Sequence, residues 1–108
     1  MFVTQEIKLV FTRLFNMTLK DLYKIIEDRK RLNPDSSYVA SLFRAGKSRI
    51  IQKVGEEAIE VVLAAKGKSK KRLISEIADL WFHSLVLLAS FNISLSDLEL
   101  ELDKRNKG

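Results

Sequence analysis

Five carboxylates in this chain fall into two sets at helical spacing: Glu56, Glu57 and Glu60, then Glu76 and Asp79. At about 100° per residue, Glu56 and Glu60 lie about 40° apart and Glu57 and Glu60 about 60° apart, so the first set makes one acidic helix face. Glu76 and Asp79 are also about 60° apart, and His83 falls about 40° beyond Asp79. Glu56 and Glu57 stand close to a helix start, where acids suit the macrodipole and solvent, and a pair of helix acids alone reads as surface. Glu76 and Asp79 do not read that way, because they interrupt a stretch, 73–91, that is apolar on nearly every face. Ionised carboxylates gathered in an apolar setting lose hydration and repel one another, so they persist only when protonated or neutralised. A divalent cation neutralises such a set, and oxygen-only ligation selects a hard ion, Mg²⁺ or Mn²⁺.

Cationic side chains flank both sets. Arg44, Lys47, Arg49 and Lys53 precede the first, and Lys66, Lys68, Lys70, Lys71 and Arg72 crowd the turn between the two. A metal with cations beside it is the equipment for binding and hydrolysing a polyphosphate; taken alone, the 66–72 run reads as a solvated turn. Ala45-Gly46-Lys47-Ser48 imitates the end of a P-loop, but Ser41 stands where that motif needs glycine and no strand precedes it. A lone histidine is more often a hydrogen-bonded core residue than a ligand, which makes His83 at most a support behind the carboxylates.

The elements that must position these groups are helices. In 108 residues there are four glycines and one proline, too little punctuation for a many-stranded β protein. Hydrophobic residues at 46% and charged residues at 31% suit an ordered globular chain of one domain. Thr18 and Asp21 form a capping box for a helix that stops before Asn33-Pro34. Ser36 to Ala45 reads as a short helix closed by Gly46, and Ser48 as the cap of a long one reaching Lys66 and ending at Gly67. Ser69 opens a helix to about Phe91, stopped by Asn92. Ser94 and Asp97 make a second capping box, with Leu95, Leu98 and Leu102 as an inward stripe. Val3, Ile7, Val10 and Leu14 space an extra helix in residues 1–16. A helix apolar all round is a buried one, so 73–91 is expected at the centre of a bundle or across a dimer interface.

Composition also excludes functions. The absence of cysteine removes disulfides, thiol nucleophiles and thiolate zinc sites, and one histidine cannot make a multi-histidine metal site. Residues 1–55 carry 11 basic and five acidic side chains, and residues 56–108 eight and nine. A basic half of that kind points to an anionic partner, nucleic acid or a phosphorylated small molecule. No apolar run approaches the roughly 18 residues of a membrane span, and no signal peptide is apparent, so no membrane role and a cytoplasmic location are expected.

With these residues assembled, Glu56-Glu57-x-x-Glu60 followed by Glu76-x-x-Asp79 resembles the EExxE…ExxD signature of the all-α, MazG-like nucleoside triphosphate pyrophosphohydrolases. Within that superfamily the chain is most similar to the phosphoribosyl-ATP pyrophosphohydrolases of histidine biosynthesis. The resemblance runs through Ser37-Tyr38, Leu42 and Gly46, Lys53-Val54-Gly55-Glu56-Glu57-Ala58, Glu76-Ile77-Ala78-Asp79-Leu80 with His83, Val86-Leu87-Leu88, and Glu101-Leu102-x-x-Arg105. It covers about residues 17–105 and leaves 1–16 as an N-terminal extension ahead of a 17–108 catalytic domain. It implies an all-α bundle completed by dimerisation and Mg²⁺-dependent hydrolysis of phosphoribosyl-ATP to phosphoribosyl-AMP and pyrophosphate. It assigns Glu57, Glu60, Glu76 and Asp79 as metal ligands, and Glu56 as a further ligand or the catalytic base. Lys53 is to face phosphate, with Arg49 and Lys47 beside it. Gln52 stands where a second lysine is common, and Trp81-Phe82 replaces the usual smaller residue and tyrosine; neither removes a ligand. The zinc-dependent cyclohydrolase often fused to relatives is expected on another chain. A housecleaning pyrophosphatase for other nucleoside triphosphates would use the same metal face. A non-enzymatic helical dimer binding nucleic acid would use the basic half instead.

Overall fold

The Thr18–Asp21 capping box forms in both directions. The Asp21 N–H donates to Thr18 Oγ1 and the Thr18 N–H to Asp21 Oδ2, each at 3.1 Å. The hydrogen bond from the Thr18 backbone holds the Asp21 carboxyl below its usual value. From this cap runs α1, Leu19–Leu32, which ends at Asn33 in the left-handed region, ahead of Pro34. The computed structural model describes residues 17–106; the helix expected within 1–16 lies outside them. Four more helices follow: α2 (Tyr38–Ala45), α3 (Lys47–Lys66), α4 (Lys70–Ser90) and α5 (Leu95–Asn106).

Two predicted starts shift, each for a local reason. Ser37, not Ser36, caps α2, its buried hydroxyl accepting the Ala40 N–H at 3.0 Å. Ser48 does not cap α3; Gly46 occupies that position, with no side-chain cap. One glycine both closes α2 and opens α3. Its N–H donates to the Leu42 carbonyl and its own carbonyl accepts from the Ile50 N–H, both at 3.2 Å. Satisfying both helices from one residue requires φ 100 and ψ 170, a conformation essentially restricted to glycine.

Helices α3 and α4 fold into an antiparallel hairpin through residues 67–69, with Gly67 ending one and the Ser69 hydroxyl accepting the Arg72 N–H at 3.1 Å to start the other. This pair makes the most extensive helix contact among the described residues, and α1 also packs against α4. The core consists of Ile26 from α1, Val39 and Leu42 from α2, Ile50 from α3, and Phe82, Leu85 and Val86 from α4. Full burial of a side chain such as Phe82 stabilises by about 1.5–3 kcal/mol. At the end of α4, Lys30 Nζ donates to the Ala89 carbonyl at 2.7 Å and to Asn92 Oδ1 at 2.8 Å. The Tyr23 hydroxyl donates to the Ile93 carbonyl, so α1 fixes the exit of the central helix.

Two expectations need correction. The Ser94 hydroxyl accepts the Asp97 N–H as expected, but the inward stripe on α5 does not form. Leu95 is buried, whereas Leu98 and Leu102 are exposed, because no other helix among the described residues packs extensively on α5. Finally, α4 is by length and composition long and apolar enough to cross a membrane. Here it packs against α1 and α3, with Asp79 and His83 fully buried within it.

The glycines offer a test of opposite signs. A Cβ at Gly46 or at Gly55 would meet nothing within 4 Å, so only backbone preference decides. Gly46→Ala should destabilise by about 1–3 kcal/mol from its disallowed φ. Gly55→Ala, inside α3, should stabilise by about 0.5–1 kcal/mol. Urea unfolding of both variants checks the pair; a neutral Gly46→Ala would contradict the joint described above.

Candidate functional site

The hairpin brings the two acidic faces together. Ligand oxygens of Glu57 on α3 and of Glu76 and Asp79 on α4 all lie within 4.8 Å of one another. Asp79 is completely buried and Glu57 nearly so. At that separation two like charges repel by on the order of 3 kcal/mol at an effective dielectric of about 20. Asp79 has other partners within the protein, but its buried Oδ2 accepts no hydrogen bond. Three carboxylates converging from two rigid helices are a donor set for a hard cation, and this cluster can hold a metal ion.

Glu57 and Glu76, with Glu56, Glu60 and Lys53, line a cleft of about 380 Å³. Glu56 and Glu60 stand at its edge rather than within the three-carboxylate cluster. Glu56 accepts a hydrogen bond from Gln52 Nε2 at 2.9 Å and pairs with Lys53 at 3.6 Å and Arg49 at 3.8 Å. Gln52, at the position where a second lysine was expected, thus orients this carboxylate. Lys53 Nζ also lies 3.3 Å from Glu57 Oε1 and is largely buried, so it counters the cluster directly. Glu60 pairs with Arg72 at 3.6 Å.

Lys47 and Arg44 are not part of this site. The Lys47 ammonium sits 4.7 Å from the centroid of the Phe91 ring. It is ten residues before Glu57 on one helix, about 15 Å along its axis. The structure thus places it in a cation–π contact at the far end of the hairpin, away from the acidic cleft. Arg44 donates to Asn33 Oδ1 at 2.6 Å and ties the α1–α2 loop. A larger recess of about 680 Å³, between α1 and the α4–α5 loop, is walled by Lys24, Glu27, Asp28 and Arg31 among others. Among the described residues, the group of carboxylates close enough to share a metal ion lies at the smaller acidic cleft instead.

Behind the cluster, His83 is fully buried. Its Nδ1 lies 2.7 Å from the Asp79 carbonyl, which can only accept, so Nδ1 carries the proton. Nε2 then accepts from the Tyr38 hydroxyl at 3.2 Å. Burial pushes the His83 imidazole below its ordinary value of 6.5, with the Asp79 hydrogen bond pulling weakly the other way. Burial likewise raises the Tyr38 phenol. Tyr38 is the site neighbour that residue spacing missed. It lies 45 residues from His83, and only the Ser37-Tyr38 motif marked it.

Known proteins are similar to this chain over most of its length. A family model described as phosphoribosyl-ATP pyrophosphohydrolase matches residues 19–106. The phosphoribosyl-ATP pyrophosphatase of Clostridium acetobutylicum is 49% identical over 92 residues, covering 85% of this chain and 84% of that protein. That of Geobacter sulfurreducens is 48% identical over 87 residues, 81% of each chain. The protein of the same name from a Janthinobacterium species is 50% identical over 95 residues, 82% of this chain and 84% of its own.

The buried imidazole sets a pH dependence. As pH falls through 6.5 the unfolded chain takes up a proton at His83 while the folded chain does not. The histidine's contribution is therefore complete above 6.5 and lost as pH drops through that value toward the lower folded one. In metal-free protein, the fall in unfolding free energy between pH 7 and pH 5 should be shallower in His83→Gln than in wild type. Equal slopes would mean that the imidazole is charged in the folded state.

Proposed function

The chain belongs to the phosphoribosyl-ATP pyrophosphohydrolase family, and from this we infer how its cleft carries out the family's reaction. The enzyme hydrolyses phosphoribosyl-ATP to phosphoribosyl-AMP and pyrophosphate, a step of histidine biosynthesis, which accords with a cytoplasmic location. The observation that carries the site assignment is the convergence of Glu57, Glu76 and Asp79 within 4.8 Å.

Mg²⁺ is the metal that an all-oxygen set of this kind, acting on a polyphosphate, would hold. Glu57, Glu76 and Asp79 would bind it, with Glu60 as the fourth carboxylate. When bound, the ion polarises the phosphoanhydride and absorbs charge on its oxygens. The side chains do the rest. Glu56, aimed by Gln52, holds the attacking water and takes its proton as the new P–O bond forms at the α-phosphorus. The α–β bridging bond breaks and its electron pair leaves with pyrophosphate. Lys53 and Arg49, both beside Glu56, stabilise the charge on the departing group. The buried Tyr38–His83–Asp79 chain keeps the cluster's floor fixed.

We further propose that the active form is a homodimer. Ile59, Val62 and Leu63 on α3 and Ile74 and Trp81 on α4 are all more than half exposed, and an apolar surface of that extent marks an interface.

Three experiments test these readings. Purified protein should turn over phosphoribosyl-ATP with Mg²⁺ and not without it, and well ahead of a panel of ordinary nucleoside triphosphates. Glu76→Gln should abolish that turnover while leaving metal-free stability unchanged or raised, because it removes repulsion; activity within tenfold of wild type would sink the ligand assignment. Light scattering at micromolar concentration should give twice the monomer mass, and a fully active monomer would contradict the interface.

A further inference from the structure

We propose that Arg72 is a further phosphate-binding residue of this enzyme, a role that rests on the metal-dependent reading of the cleft. Glu56, Glu57 and Glu60 form a row along α3, and each is met by a cation: Arg49 and Lys53 at the Glu56–Glu57 end, Arg72 at the Glu60 end. The first two belong to α3 itself; Arg72 comes from the first turn of α4. Its backbone is fixed, since the Arg72 N–H caps onto the Ser69 hydroxyl at 3.1 Å. Its side chain turns to Glu60 at the cleft.

The Arg72–Glu60 pair is built to be exchanged. Its 3.6 Å separation is longer than a good charge-assisted hydrogen bond, and its side chains are 55% and 44% exposed. An ion pair of that kind adds little to stability. Once Glu60 turns to a cation among the carboxylates, the guanidinium at the cleft edge loses its counter-ion. A planar fork of N–H donors is suited to take phosphate oxygens in its place. Substrate phosphate then contacts cations at both ends of the acidic row, from Lys53 and Arg49 at one end and Arg72 at the other. The neighbours Lys70 and Lys71 have no acidic partner on α3 among the ion pairs of the described residues, and remain a solvated turn.

The test compares Arg72→Gln, Arg72→Lys and Lys71→Gln in the full chain. Binding of inorganic pyrophosphate with Mg²⁺ is measured by calorimetry, Mn²⁺ alone by its magnetic resonance signal, and KM for phosphoribosyl-ATP by turnover. Loss of one charge-assisted phosphate contact should weaken pyrophosphate binding and raise KM roughly tenfold in Arg72→Gln. Arg72→Lys should recover part of this, and Lys71→Gln should stay within about twofold, the range left to general surface charge. Mn²⁺ should bind Arg72→Gln at least as tightly as wild type, because a competing cation has gone. Pyrophosphate affinity and KM within twofold of wild type in Arg72→Gln would overturn the proposal. So would a parallel loss of Mn²⁺ affinity, which would make Arg72 a builder of the metal site. Failure of wild type itself to bind Mn²⁺ would overturn the metal reading on which the proposal stands.

Discussion

Mutual repulsion among carboxylates in the seam between α3 and α4 is the constraint that organises this molecule. Glu57, Glu76 and Asp79 are held closer than free anions would settle, two of them buried. Folding therefore has to overcome their charge, and the strength to do so comes from elsewhere. The hairpin is capped at its turn by Ser69, its outer faces are packed by α1 and α2, and Lys30 and Tyr23 lock the end of α4. The resulting rigidity keeps the three carboxylates together as a cluster that can hold a metal ion. An ion bound there would offset their mutual repulsion.

Around that seam the charges are graded by depth. The deepest carboxylate, Asp79, has neutral neighbours in His83 and, beyond it, Tyr38. The next, Glu57, has the largely buried Lys53. The outermost, Glu56 and Glu60, have half-exposed arginines. Cations that reach deeper would compete too strongly with a metal; cations farther out would be screened by salt within about 8 Å under physiological conditions. The arrangement leaves the carboxylate cluster underneutralised and its rim cationic.

Much of this was legible in residue spacing, because helical periodicity is local. The 56/57/60 and 76/79 spacings with a three-residue turn between their helices are enough to oppose the two acidic faces. The caps at Thr18 and Ser69 follow from side-chain chemistry within one turn. What was not legible depends on distance through space. Tyr38 meets His83 across 45 residues, and residue spacing in neither neighbourhood announces it. Lys47 looked like its neighbour Arg49, but two residues rotate a side chain by about 200° and send it to Phe91. Ser48 had the right chemistry for a cap, and lost to Gly46 because one residue had to serve two helices. The stripe of α5 was read correctly as apolar, and wrongly as covered, since a pattern specifies a face and not what lies against it.

Asp79 has one more consequence, which concerns synthesis rather than catalysis. It is the tenth of the 21 residues of α4, next to the middle of the one helix among the described residues apolar enough to be mistaken for a membrane span. An aspartate at that depth costs about 2.5–3.5 kcal/mol on the translocon's own scale, and Glu76 adds to it. The carboxylate that builds the site also marks the nascent helix against insertion into the bilayer. Replacing both acids by leucine would not merely inactivate the enzyme; it would rewrite the segment's address.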